Sequence, residues 1–90
     1  MLVLLSLSDG PKHGYAITED IHEQTGIRLG PGTLYGSLTK LAERGLISPL
    51  QSEDRRRPYE MTAAGRGALQ SQLASWSRIV AVGKARLQWG

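Results

Sequence analysis

The apolar positions of this chain follow a helical period over most of its length and a strand period over one short stretch. The opening run Met1-Leu2-Val3-Leu4-Leu5-Ser6-Leu7 is nearly continuous. It is too short to span a bilayer and suits a buried first helix, which Asp9-Gly10-Pro11 breaks after about Ser8. From His13 to Thr25, Ile17 and Ile21 recur at a spacing of four, with Glu19, Asp20 and Glu23 on the wet side. That predicts an amphipathic second helix, and Gly26 suits its C-terminal cap. Ile27-Arg28-Leu29 reads as a short extended link. Gly30-Pro31 opens a third helix, because glycine is an acceptable cap and proline in the first position forfeits no hydrogen bond. Leu34, Leu38 and Leu41 form its inward stripe, Thr33, Ser37, Lys40 and Arg44 lie on other faces, and Gly45 ends it.

Beyond Gly45 the pattern changes. Pro49 inside an apolar run marks an edge strand, Ser52-Glu53-Asp54 a turn, and the alternating Tyr59-Glu60-Met61 a returning strand. Thr62 then caps a long last helix reaching about Gln88. A short helix followed by a basic β-hairpin is the order of a winged helix-turn-helix, a module that binds duplex DNA. The predicted fold class is mainly α with one small β-hairpin. Residues 1–62 form the winged helix-turn-helix DNA-binding domain and residues 63–90 a C-terminal dimerisation helix, together one structural unit.

The last helix carries its own signature. Leu69, Leu73, Trp76, Val80, Gly83 and Leu87 are spaced four, three, four, three and four. That is a heptad seam. It either packs on its own domain or pairs with a second copy. Helices one to three already have stripes to bury against one another, which favours the dimer, assembled through residues 63–88 with helix one. Ninety residues are also few for a self-sufficient core.

Charge sharpens this picture. The net charge is only +3. Residues 1–54 hold four basic against seven acidic side chains, whereas residues 55–90 hold seven basic against Glu60 alone. Arg55, Arg56 and Arg57 sit at the predicted hairpin tip, where neighbouring guanidinium groups can meet successive phosphates. Strand alternation would turn one of the three away, leaving two contacts per chain. On helix three, Thr33, Tyr35, Gly36, Ser37 and Lys40 are the candidates to face DNA: hydroxyls and an ammonium reach base edges or phosphates, and Gly36 lets the backbone come close. Tyr35 reads equally as half core. Lys12, His13 and Tyr15 sit where helix two begins and its amides attract a phosphate, with a capping role the plainer reading of His13.

Other chemistry finds little support. With no cysteine, disulfides and cysteine-rich zinc sites are excluded. There is no nucleophile elbow, no phosphate-binding glycine loop and no zinc spacing, so neither an enzyme nor a metal or other cofactor is expected. The absence of a basic leader and of a spanning segment points to a cytoplasmic protein without membrane contact. Trp76 reads first as dimer core. The sharper reading makes it and its symmetry mate a wall for a flat aromatic ligand.

His13-Gly14-Tyr15-Ala16-Ile17, Gly32-Thr33-Leu34-Tyr35 with Leu38 and Leu41, Gly45-Leu46-Ile47, and Arg55-Arg56-Arg57 with Tyr59 and Thr62 occur in that order. Together they resemble the PadR-like transcriptional regulators over nearly the whole chain, in a form like the family's short, single-domain subfamily. The resemblance implies a winged helix, a homodimer through the last helix, repression by binding double-stranded operator DNA, and in some relatives release by a small aromatic effector. Gly30, Gly36, Glu53-Asp54 and Pro58 depart from the family pattern. The rival class is a winged-helix protein-interaction module without DNA binding, consistent with the acidic balance of residues 1–54.

Overall fold

The computed structural model describes residues 1–52 and 56–89. Helix α1 spans Leu2–Ser6, α2 Gly14–Thr25, α3 Pro31–Glu43 and α4 Ala63–Trp89, with strands β1, Ile47–Pro49, and β2, Tyr59–Met61. The first helix is shorter than its apolar run. Its continuation, Leu7–Asp9, tightens into a 3-10 turn before the Gly10-Pro11 break. The Ser8 hydroxyl donates to the Leu5 carbonyl at 2.6 Å within this turn.

The helix boundaries follow their capping residues. His13 caps α2, its Nδ1 accepting from the Ala16 amide at 3.3 Å. Gly26 closes α2 in the left-handed region, at φ 75°. At the end of α3, Gly45 takes φ 73°. Its amide donates to Ala42 and the Leu46 amide to Leu41, both at 3.0 Å, a Schellman motif that turns the chain into β1.

The strands pair antiparallel, Ile47 with Met61, Ser48 with Glu60 and Pro49 with Tyr59. On its other side Tyr59 exchanges two backbone hydrogen bonds with Lys12. Tyr59 therefore lies between two neighbours, and Pro49 sits on the outer strand, where a missing amide costs nothing. The core beneath gathers Val3, Leu4, Leu7, Ile17, Ile21, Leu34, Leu38, Ile47 and Leu69.

One junction ties the hairpin, α3 and α4 together. The Thr62 hydroxyl donates to the Gly45 carbonyl at 2.7 Å and accepts from the Gly65 amide at 3.1 Å, capping α4. The Thr62 amide donates to the Leu46 carbonyl. Gly65 is buried so closely beneath that carbonyl that a Cβ on it would stand 2.0 Å from the oxygen. Leu69 is buried in the chain's own core, at 5% exposure, so this first seam position is used within the chain rather than set aside for a partner. From Gln70 to Gln88 every residue of α4 is exposed.

Candidate nucleic-acid interface

With about 100° per residue and Leu34, Leu38 and Leu41 turned inward, the opposite side of α3 is centred on Gly32, Gly36, Thr39 and Glu43. Thr39 is the residue that sequence reasoning missed; continuing the leucine spacing around the helix would have found it. Its hydroxyl donates to the Tyr35 carbonyl at 2.9 Å, which still leaves an exposed oxygen able to accept. Gly32 and Gly36 have no need of glycine within the chain: a Cβ at either would meet no atom within 4 Å. The middle of the outward face is thus bare backbone, and its one acid, Glu43, lies at the C-terminal end.

The other candidates on α3 divide across two flanks. Thr33, Ser37 and Lys40 border a groove of about 330 Å³ that runs along α3 beside Met1, Leu2 and Val3. Tyr35 lies on the opposite flank, 57% exposed, with its hydroxyl over Gly14: a Cβ on Gly14 would stand 3.4 Å from that oxygen. Tyr35 and the 68% exposed Tyr15 converge with His13, Arg56, Arg57 and Tyr59 around a recess of about 370 Å³. This recess joins the start of α2, the flank of α3 and the hairpin. His13, whose Nδ1 is taken up as the cap acceptor, lines the same recess. The expected alternation of the arginines does not apply, because residues 56–58 are not in a strand, and both Arg56 and Arg57 line the same recess. Arg55 falls outside the described residues.

Lys12 corrects the sequence expectation. Its ammonium is engaged within the chain, donating to the Ser6 carbonyl and pairing with Asp9 Oδ1, and its side chain is only 18% exposed. The hydrogen bond from Lys12, then its charge, holds the Asp9 carboxyl below its ordinary value. Lys12 therefore fastens the loop before α2, and the recess draws its positive charge from the hairpin arginines. Among the described residues no group of three His, Asp or Glu side chains is placed to hold a metal, and no helix is long and apolar enough to cross a membrane.

The seam positions beyond Leu69 lie open. Leu73, Trp76, Val80 and Leu87 are 43, 51, 50 and 83% exposed, and a Cβ on Gly83 would meet nothing.

Comparison with known proteins places the fold among known families. A protein in transposon TN4556 of Streptomyces fradiae, uncharacterized and of 37.1 kDa, is 48% identical over 79 residues, covering 88% of this chain and 23% of its own length. A transcriptional regulator of Mycobacterium tuberculosis is 40% identical over 73 residues, covering 74% of this chain and 64% of its own. The chain thus spans under two thirds of either relative. The crystal structure of a PadR family transcription regulator from Clostridium difficile superposes with a TM-score of 0.86 at 25% identity, covering 96% of this chain and 94% of the other. Helices, hairpin and core together make a winged-helix fold. The profile of the Transcriptional regulator PadR-like family matches residues 3–71, and the chain belongs to that family, one of transcriptional regulators rather than of enzymes.

Proposed function

We propose that the chain binds operator DNA as a homodimer and represses transcription in the cytoplasm, with α3 in the major groove and the recess on the flanking phosphates. The observation that carries this reading is the convergence of Tyr15, Tyr35, Arg56 and Arg57 beside the bare outward face of α3. Two tyrosines and two guanidinium groups form a donor-rich, positively charged surface, which suits phosphate oxygens. The start of α2 opens into the same recess and adds its dipole. With the flanking backbone held there, Thr33, Tyr35, Gly36, Ser37, Thr39 and Lys40 present the outward side of α3 to base edges, while Glu43 keeps the C-terminal end away from phosphates.

The exposed seam of α4 supports the dimer, since a row of half-exposed large apolar side chains calls for a cover. A two-fold protein reads a two-fold site, an inverted repeat with half-sites about one helical turn, or a small multiple, apart. Trp76 stands where two chains would meet, so a planar aromatic effector bound there changes the spacing of the two recognition helices. It releases DNA if it prefers the spacing that fits DNA poorly.

Selection of binding sites from random duplexes, followed by footprinting, tests the reading. The expected result is an inverted repeat protected by a dimer. Failure to enrich any duplex at low salt would overturn it in favour of a winged-helix module that binds protein.

A further inference from the structure

A polar stripe of Thr33, Ser37, Lys40 and Arg44 runs down α3 to its C-terminal cap at spacings of four, three and four. All four residues line the groove of about 330 Å³ beside α1. The rest of its lining, Leu2, Val3, Leu29 and Leu41 with Met1, is apolar and contains no acid and no aromatic ring. The two cations stand toward one end of the stripe, and Leu29, just ahead of the helix, stands beyond the other. We infer that this groove binds a small monocarboxylate with an unbranched aliphatic tail, and that the ligand competes with DNA for Ser37 and Lys40. The competition rests on the DNA-binding reading above; the binding does not.

Charge and hydrogen bonding fix the head of the ligand. Among the described residues neither Lys40 nor Arg44 pairs with an acid, and the hydroxyls of Thr33 and Ser37 make no hydrogen bond. The hydroxyls of Thr18, Thr25 and Thr39 behave otherwise, donating to the carbonyl four residues earlier at 3.2, 2.7 and 2.9 Å. Two cations at positions i and i+4 repel one another, and an anion between them removes the repulsion. A carboxylate there accepts charge-assisted hydrogen bonds from the Arg44 fork and the Lys40 ammonium, with Ser37 one turn away as a further donor. The apolar lining fixes the tail. From Lys40 to Thr33 is about 10 Å along the axis, the length of a chain of about eight carbons, so the tail lies over the leucines and ends toward Leu29. An apolar floor with a few convergent polar groups is the make-up of a small-molecule site, and this volume is at the small end of such sites. The groove lies within one chain and away from Trp76. Its ligand therefore acts on each half-site separately, unlike a ligand at the seam of α4.

Titration calorimetry of octanoate into the intact, DNA-free protein tests the binding. One octanoate per chain is expected, with acetate, which lacks the tail, and 1-octanol, which lacks the charge, each at least about tenfold weaker. Lys40→Gln/Arg44→Gln, at two exposed positions and checked for helicity by circular dichroism, should weaken octanoate about tenfold or more. Fluorescence anisotropy on a single half-site duplex tests the competition: octanoate should lower the affinity beyond what acetate does at equal concentration, acetate serving as the control for ionic strength. Absence of binding at millimolar octanoate, or equal binding by the double variant, overturns the groove as the site. Acetate or octanol binding as tightly as octanoate overturns the ligand class. Octanoate that binds, yet affects the half-site no more than acetate, overturns the competition. A protein that takes up octanoate but binds no duplex at low salt overturns the DNA-binding reading and leaves the groove standing.

Discussion

Replacing Gly36 by alanine separates folding from function, because the two should move in opposite directions. Gly36 lies in the middle of α3 on its outward side, and a Cβ there meets no atom of the chain within 4 Å. The added methyl therefore strains nothing in the free protein. It does remove the entropic penalty of glycine in a helix interior, about 0.8–1.0 kcal/mol relative to alanine. For a domain of this size, about 1 kcal/mol raises the midpoint of thermal unfolding by roughly 4–8 °C. Binding should suffer. If the bare backbone at Gly36 is what approaches the bases, the methyl holds α3 away from the groove floor and lengthens every contact from its flanks. A tenfold loss of affinity corresponds to about 1.4 kcal/mol, a modest cost for displacing a helix that makes several direct contacts. The assay pairs a thermal melt by circular dichroism with fluorescence anisotropy on the selected duplex, both at one protein concentration and one salt concentration, because dimerisation and counterion release make the results depend on each. General damage would lower stability and affinity together. A variant that melts higher and binds DNA as tightly as the parent would refute the close approach at Gly36.

Other substitutions probe the wing, the junction and the loop before α2. Arg56→Ala and Arg57→Ala should each weaken specific and random DNA alike and shallow the log–log salt slope by roughly 0.9 for each phosphate no longer neutralised; an unchanged slope would remove them from the phosphate clamp. Gly65→Ala should destabilise by about 1–3 kcal/mol or more in urea unfolding, since its Cβ would collide with the backbone oxygen of Leu46. Thr62→Val keeps the side-chain shape but loses the cap of α4 and the bond to Gly45, and should cost roughly 0.5–2 kcal/mol. Because Lys12 depresses the Asp9 carboxyl, the pair's contribution is present above the ordinary value of 3.8 and fades as pH falls through the lowered one. Asp9→Asn should therefore abolish that part of the acid dependence of unfolding, lowering stability slightly at neutral pH and leaving it unchanged below the lowered value.

Most of the fold was legible because its signals are local. Leucine and isoleucine spacing located α2 and α3, Gly26 and Gly45 adopt the left-handed conformation expected at helix ends, and Thr62 caps α4 as its position suggested. What escaped depends on partners distant in sequence. Lys12 and its neighbours carry nothing to show that the ammonium turns back to Ser6 and Asp9. Periodicity placed Leu69 on the seam of α4, and it does lie on that face, but no local pattern reveals that the first helix covers it. Tyr59 joins the recess only because its backbone pairs with Lys12, a contact between the start of α2 and the returning strand. The outward face of α3 follows from the leucine spacing alone, and Gly32 and Thr39 matter there by position rather than by side-chain type.

The junction around Thr62 bears on how a change in the dimer could reach DNA. Four groups meet there: the Gly45 carbonyl ending α3, the Leu46 carbonyl entering β1, the Thr62 hydroxyl capping α4 and Gly65 beneath the Leu46 oxygen. Each is already held by another, and the closeness at Gly65 leaves little room for sliding, because a packed contact resists compression far more than it resists rotation as a block. The first turns of α4 and the end of α3 are thus fixed to each other. A ligand at the seam has little means of tilting the recognition helix within one chain, but it can change how two such blocks are set against each other through the exposed part of α4. Under the proposed function, an effector then acts on the spacing between half-sites and leaves the contacts inside each half-site intact. A single half-site should therefore keep its affinity when effector is added, while the paired site loses it.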